Sequence, residues 1–256
     1  MKKLSVYLAC LLALTALTVA CGGGGTEEAA APEASAPAPA PAAAMGSGTI
    51  TGIINYANGD TDTDIAMDAD PVCMGLHTEP AQTQEIVGDE GKLANVFVYI
   101  KSGLSGSYPA STETAVLDQQ GCMYTPHVSG VQVGQPIVIR NSDPTLHNVH
   151  ALPTVNAEFN KGQPFQNMEF EHTFDQAEVM VRFKCDVHPW MNSYMGVLDH
   201  PFFAVSVADG SYTIDNVPAG TYTIEAWHSK LGTQTIEVSV EDNGVSDASF
   251  DYAAAS

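Results

Sequence analysis

Residues 183–191 place three soft-metal donors in one short segment, Phe183-Lys184-Cys185-Asp186-Val187-His188-Pro189-Trp190-Met191. The segment directly follows a predicted strand at 178–183, so we expect it to form a loop at one end of a sheet. A thiolate, an imidazole and a thioether together favour a soft transition metal. The sequence therefore predicts a metal site that contains Cys185, His188 and Met191 and needs one further strong ligand.

A second histidine is available about forty residues upstream, in the turn-rich stretch Asn141-Ser142-Asp143-Pro144-Thr145-Leu146-His147-Asn148-Val149-His150. This stretch follows another predicted strand, 136–140. Loops at the same end of a sandwich come together even when they are far apart in sequence, so His147 can face Cys185. Two imidazoles, one thiolate and a weak axial thioether are the donor set of a blue-copper centre. Met195 is an alternative axial ligand to Met191.

The folded part of the chain reads as short strands almost throughout. The runs alternate apolar and polar residues and are separated by Gly, Asn, Asp or Pro, a pattern typical of half-buried strands. The sequence predicts an all-β chain of Greek-key β-sandwiches with few or no helices. The clearest predicted strands are 49–54, 95–100, 131–133, 136–140, 168–174, 178–183, 203–207, 212–214, 222–227 and 234–240.

The two ligand motifs resemble those of cupredoxins, most closely amicyanin, plastocyanin and pseudoazurin. These relatives have a strand that ends in Asn, matched by Asn141, and then a His-Asn-Val-His or similar run, matched by residues 147–150. Their second motif is Cys-x-x-His-x-x-Met in amicyanin, with Pro after the histidine, matched over residues 185–191. The resemblance covers residues 123–200 and implies a cupredoxin domain at 109–202.

The resemblance also implies roles for particular residues. One type 1 copper ion would be held by His147, Cys185, His188 and Met191. In cupredoxins the histidine that follows the ligand cysteine usually lies at the surface within an apolar patch and passes the electron, which assigns that role to His188.

Asp186 stands where these relatives often have Ser or Thr, whose hydrogen bond ties the two ligand loops together. We expect the Asn148 side chain to hydrogen-bond across the two ligand loops, and we expect Asp186 to lie beside Asn148, next to the ligands. His150 follows His147 by three residues, so on a strand it would point to the opposite face, where we expect it either to support the ligand residues from behind or to serve a structural role.

The segments that flank the predicted metal-binding region have a different sequence pattern. Residues 208–222 resemble the hairpin of carboxypeptidase-regulatory-like (transthyretin-like) sandwiches, and residues 48–56 resemble the opening strand of that fold. The resemblance implies one small sandwich formed by residues 48–108 and 203–252, with the cupredoxin domain inserted in it or packed with it. Insertion at a surface hairpin loop is well tolerated.

The N-terminus predicts export. Residues 1–20 read as a signal peptide, and Cys21 follows them in what resembles a lipoprotein cleavage box, with Cys21 as the lipid-bearing residue. Residues 21–47 are rich in Gly, Ala and Pro and predict a disordered tether. We therefore expect a protein anchored by lipid alone, in the periplasm or at the cell surface.

The chain is strongly acidic, with 9 Lys+Arg against 30 Asp+Glu and a formal net charge of −21. This charge argues against nucleic acid as a ligand. It favours either a basic protein partner, such as a basic cytochrome or a membrane oxidoreductase, or solubility in a saline habitat.

Three cysteines remain beyond Cys21, and Cys185 belongs to the predicted metal site. Exported proteins commonly pair their other cysteines, so we expect a disulfide between Cys73 and Cys122. Both cysteines precede a methionine, Met74 and Met123, and could instead hold Cu(I) as a second, softer site.

A copper ion with three strong ligands and one weak one suits electron transfer better than substrate binding. The sequence therefore predicts a single-electron carrier, not an enzyme. Three alternatives stay open. These are a copper-delivery or resistance protein, an oxidase or nitrite reductase with a second copper centre, and a metal-free module that binds carbohydrate or protein.

Overall fold

The computed structural model describes residues 42–57, 62–88 and 90–253. Strands dominate these residues, and the predicted all-β fold class is confirmed. The elements are β1 (Gly48–Tyr56), α1 (Pro71–Gly75), β2 (Phe97–Ser102), β3 (Ala115–Gln120), β4 (Met123–Thr125), β5 (Val128–Gln132), β6 (Ile137–Asn141), β7 (His147–Leu152), β8 (Phe159–Gln163), β9 (Met168–His172), β10 (Glu178–Lys184), β11 (Asn192–Leu198), β12 (Phe203–Val205), β13 (Ser211–Val217), β14 (Gly220–His228), β15 (Gly232–Val240), β16 (Val245–Asp247) and β17 (Phe250–Tyr252).

The first sandwich takes its strands from both ends of the described chain. One sheet has the order β13-β1-β16, with β17 also paired to β1, and the other has the order β12-β2-β14-β15. Along β1 every second residue is buried, as expected for a strand with one face on a core. Ile50, Ile54 and Ile224 lie in that core. The strands of this sandwich thus come from residues 48–102 and 203–252.

The second sandwich is continuous in sequence, from β3 to β11. Its sheets have the orders β4-β3-β6-β9 and β5-β11-β10-β7-β8. Leu117, Ile139 and Phe183 are fully buried between them. In the second sheet β10 pairs antiparallel with β7, so the start of β7 lies beside the end of β10. This pairing positions the predicted metal loops next to each other.

The two sandwiches meet where aromatic rings of one cover glycines of the other. Gly130 on β5 and Gly196 on β11 pair with each other, and a Cβ on either would lie within 2.6 Å of the Phe97 ring. Phe203 lies over Gly130 and stacks on Phe97 with ring centroids 5.5 Å apart. Only glycine leaves room for this close approach of ring and backbone.

Residues 65–81 lie on the second sandwich, whereas the sequence assigned residues 48–108 to the first. Met67 and Cys73 are buried in the second core, with Ile65 packed against it. The segment contains α1, whose N-cap is Asp70 and whose first residue is Pro71, a strong start signal for a helix. Burial of Met67 and Cys73 gives the segment its place over the metal loops.

The N-terminal predictions fall mostly outside the described residues. The signal peptide, Cys21 and the tether up to residue 41 belong to that part of the chain. The last tether residues, 42–47, bond to the first sandwich, where Ala43 N donates to Ser107 O and Gly46 N to Asn216 O. Within the described residues, no helix has the length and apolarity required to cross a bilayer.

Candidate metal centre

Three of the predicted donors meet at one end of the second sandwich. His147 is the first residue of β7 and Cys185 directly follows β10. His150 is paired with Lys184 across these strands, which brings the donor residues side by side. His147 Nδ1 lies 2.9 Å from His188 Nδ1, and His188 Nδ1 lies 3.9 Å from Cys185 Sγ. The exposed fractions of His147, Cys185 and His188 are 0, 2 and 2%.

The loop from Cys185 to Met191 is closed by its own backbone. Cys185 N donates to Met191 O at 3.2 Å, and Met191 N donates to His188 O at 3.0 Å. His188 N also donates to Cys185 Sγ at 3.4 Å. Met191 and Met195 are both fully buried in the same apolar cluster as Cys185, so the axial position stays open between them.

Asn148 and Asp186 tie the two ligand loops together. Asn148 Oδ1 accepts from Asp186 N at 2.7 Å and from Cys185 Sγ at 3.3 Å. Asn148 Nδ2 donates back to Asp186 Oδ2 at 3.2 Å. His150 is on the opposite face from His147, with Nδ1 3.0 Å from Asp186 Oδ2 and Nε2 2.8 Å from Glu158. The tie between the loops is therefore present with aspartate in place of Ser or Thr.

The outer nitrogens of both ligand histidines contact carboxylates. His147 Nε2 lies 2.9 Å from Asp143 Oδ2, and His188 Nε2 lies 3.0 Å from Asp70 Oδ2. The expected surface position of His188 is wrong, because the segment containing Asp70 and Cys73 covers its outer edge. Trp190 packs beside the imidazole, with ring centroids 5.1 Å apart.

The structure pairs Cys73 with Cys122 in a disulfide, with S–S 2.01 Å and Cα–Cα 5.5 Å. Cys185 is free and buried. The disulfide lies against the ligands, since Cys73 Sγ is 3.5 Å from His188 Nε2. It joins the segment with α1 to the turn between β3 and β4, so this covering segment is held covalently over the centre.

The charges at the site stabilise one another. Burial disfavours ionised Asp143, but hydrogen bonds from His147 and from the backbone of Cys122 and Gly121 outweigh it and lower its pKa. Burial likewise opposes a charged His147, yet its contacts with Asp143 and Cys185 raise its pKa. Burial opposes the Cys185 thiolate, while hydrogen bonding to His147 and to backbone N–H groups lowers the Cys185 pKa. A lower thiol pKa favours the form that binds metals.

The two Nδ1 atoms fit a shared cation. Because both Nε2 atoms bond to carboxylates, they carry the ring hydrogens in neutral histidines, and both Nδ1 atoms then present lone pairs. Two lone pairs only 2.9 Å apart repel each other unless a metal ion or a proton lies between them. Metal–nitrogen bonds of about 2.0 Å and metal–thiolate bonds of about 2.3 Å bring donors of one ion to roughly 3–4 Å of each other. Two imidazoles and a thiolate at this spacing fit a soft transition metal.

Sequence reasoning missed Asp70 and Asp143, and it missed the covering segment. Asp143 lies in the quoted loop four residues before His147, where its side chain can reach back to the imidazole. Asp70 is separated from His188 by 118 residues, and no local pattern connects them. The dipeptide Asp70-Pro71 signals a helix start, although it does not show what the helix covers.

No protein-family model matches the chain, and no curated protein matches it significantly. Among solved structures, the chain is similar to a purple cupredoxin from Nitrosopumilus maritimus. The identity is 21% over 32% of this chain and 98% of that one, with a TM-score of 0.28.

The chain is also similar to an amicyanin variant in its oxidised state, at 23% identity over 39% of this chain and 97% of that one, with a TM-score of 0.30. A third similar structure is a copper-containing nitrite reductase from Thermus scotoductus. That match has 17% identity and a TM-score of 0.30, and covers 40% of this chain and 26% of the reductase.

Proposed function

We propose that this protein carries single electrons by means of one type 1 copper ion held by His147, Cys185, His188 and an axial methionine, Met191. The observation that carries the proposal is the meeting of His147 Nδ1, His188 Nδ1 and Cys185 Sγ in one buried cluster. Copper in such a donor set supplies a one-electron couple that changes oxidation state with little change in geometry.

The protein residues contribute by holding this geometry fixed. The Asn148–Asp186 tie and the closed backbone of the 185–191 loop restrict movement of Cys185 and His188. The Tyr124 hydroxyl donates to Asn148 O and Lys184 O, at 2.7 and 3.0 Å, and so joins the two ligand loops a second time. Burial excludes water and substrates from the donors. These features favour an electron carrier over an enzyme.

A delivery or resistance protein needs an exchangeable site, and the burial of the donors here opposes exchange. The covering segment adds a covalent barrier, since its disulfide lies 3.5 Å from His188 Nε2. We therefore place electron transfer ahead of copper delivery.

We also propose an exported protein, tethered through a lipid on Cys21, in the periplasm or at the cell surface. The supporting observations are the signal-like residues 1–20 and the Cys73–Cys122 disulfide, which is typical of oxidising compartments.

The proposed partner is a basic redox protein, such as a cytochrome. The net charge of −21 would attract it over long distances. At short range, the covering segment, which contacts His188 through Asp70 and Cys73, offers three exposed apolar side chains, those of Val72, Met74 and Leu76. Electrons would then pass between His188 and the partner through this segment.

Stopped-flow mixing of the reduced, copper-loaded protein with an oxidised basic cytochrome tests this function. We expect cytochrome reduction whose rate falls about tenfold or more from low to high ionic strength, because salt screens the attraction. Cys185→Ser should give no reduction under the same conditions. A wild-type protein that binds copper but transfers no electron would contradict the proposal.

A further inference from the structure

Two carboxylates around the metal centre occupy matching positions. Asp143 bonds to His147 Nε2 through Oδ2 at 2.9 Å, and it accepts the backbone N–H of Cys122 at 2.7 Å. Asp70 bonds to His188 Nε2 through Oδ2 at 3.0 Å, and its Oδ1 accepts the backbone N–H of Cys73 at 3.2 Å. Each carboxylate thus contacts one ligand histidine and the backbone N–H of one of the two disulfide cysteines.

The disulfide closes this arrangement into a ring of contacts. Cys73 and Cys122 are covalently joined, and both are fully buried. The side chain of Asp143 is only 3% exposed, and that of Asp70 is 24% exposed. A buried carboxylate is costly unless it is paired, so Asp143 depends on the groups that it contacts. The partly exposed Asp70 is held by its hydrogen bonds with His188 and with the backbone of Val72 and Cys73.

We propose that Asp70 and Asp143 are positioning residues that fix both histidines with hydrogen on Nε2 and favour the oxidised state of the bound metal. The Cys73–Cys122 disulfide braces the pair. This inference rests on the proposed function and assigns it two residues that no ligand motif contains.

The expected effect on the couple follows from charge. A negative carboxylate close to a ligand imidazole stabilises the more highly charged oxidised metal more than the reduced one. It also makes the imidazole a stronger donor, as carboxylates behind metal-bound histidines do. Removing one carboxylate charge therefore makes the metal easier to reduce.

Asp70→Asn is the sharpest variant, because it removes the charge at nearly constant side-chain shape. Asparagine has a single acceptor oxygen, so that oxygen accepts from His188 Nε2 only by giving up the N-cap bonds from Val72 N and Cys73 N, which Asp70 accepts with its other oxygen. In that orientation the variant loses the charge and keeps the hydrogen bond to His188. At a given applied potential, we expect the ratio of oxidised to reduced copper-loaded protein to fall about tenfold. This corresponds to a rise in reduction potential of about 59 mV for a one-electron couple. Asp68→Asn is the matched control, since Asp68 is an exposed carboxylate of the same segment.

Asp70→Ala removes both the charge and the hydrogen bond. We expect it to raise the potential as Asp70→Asn does. In addition, copper should be lost to a strong chelator about tenfold faster than from the wild type or from Asp70→Asn, because His188 is no longer held. Potentials are measured by redox titration of the visible band, and copper loss by decay of that band.

The outcomes separate the two proposals. If the copper-loaded wild-type protein shows no intense thiolate-to-copper absorption band, the proposed function itself is wrong. A blue wild type in which Asp70→Asn and Asp68→Asn have the same potential overturns this inference and leaves the function standing. Asp143→Asn is a second variant, but its buried carboxylate accepts from two backbone N–H groups, so Asp70 provides the cleaner test.

Discussion

The two ring nitrogens of each ligand histidine have separate tasks in this protein. Nδ1 of His147 and of His188 faces the centre, while Nε2 of each faces a carboxylate. The same division fixes the tautomer and therefore the direction of the lone pairs. These contacts were only partly predictable. The donor residues follow from their motifs, whereas the carboxylates depend on side-chain reach and on a distant segment.

Other buried histidines of the protein are held neutral, and His228 is the clearest case. Its Nδ1 accepts from the backbone of Lys230 and Leu231, both at 3.2 Å, and its side chain is 2% exposed. Burial, together with repulsion from His127, lowers the pKa of His228 to about 4.

This pKa predicts acid lability. His228 takes up a proton below about pH 6.5 in the unfolded chain but only near pH 4 in the folded chain. The contribution of neutral His228 to the free energy of unfolding is therefore fully present above pH 6.5 and is lost as the pH falls from 6.5 to 4. The loss in free energy of unfolding is about 3 kcal/mol. Urea titrations at several pH values measure it, and His228→Gln should flatten the profile in that window. An unchanged profile in the variant would refute this assignment.

At the level of elements, the antiparallel pairing of β7 and β10 brings the two ligand loops together. Sequence periodicity identified β10 well, but it treated residues 147–150 as loop, whereas β7 begins at His147. The reason is that Asn148 and His150 interrupt the apolar pattern with polar contacts to Asp186. The covering segment could not be placed at all, because disulfide and core contacts fix it, and these lie far apart in sequence.

The Tyr124 hydroxyl links β4 to the ends of both β7 and β10. Tyr124→Phe leaves the buried Asn148 carbonyl and the partly buried Lys184 carbonyl without this donor, so we expect a loss of about 1–3 kcal/mol in the free energy of unfolding. Tyr108→Phe is the control, because Tyr108 packs its ring on Phe202 and no hydroxyl partner is seen in the described part of the chain. Equal stabilities of the two variants in urea would contradict the role of Tyr124.

On the scale of the whole molecule, the described residues form one compact unit that contains both sandwiches. Their junction depends on Phe97 and Phe203 lying on the glycines of β5 and β11. The sequence pattern distinguished the strands of the flanking segments from those of the central segment. It did not reveal that glycines in two central strands accept aromatic rings from the flanking ones, because that contact joins residues distant in sequence.

Gly196→Ala tests the junction. A Cβ there would lie 2.4 Å from the Phe97 ring, which must move, so we expect a loss of about 1–3 kcal/mol in stability. Gly162→Ala, on β8 of the same sandwich, is the control because a Cβ there meets nothing within 4 Å. Thermal or urea unfolding compares the two. A neutral Gly196→Ala would show that the rings do not hold the sandwiches together.

The central claim is that Cys185 and the two histidines bind copper as a single blue centre. Visible absorption and EPR spectra of residues 40–256 loaded with Cu(II), beside the Cys185→Ser variant, test it most directly. We predict an intense thiolate-to-copper band with narrow copper hyperfine splitting, lost reversibly on reduction and absent from Cys185→Ser. A weak spectrum of ordinary tetragonal Cu(II), the same in both proteins, would contradict the account.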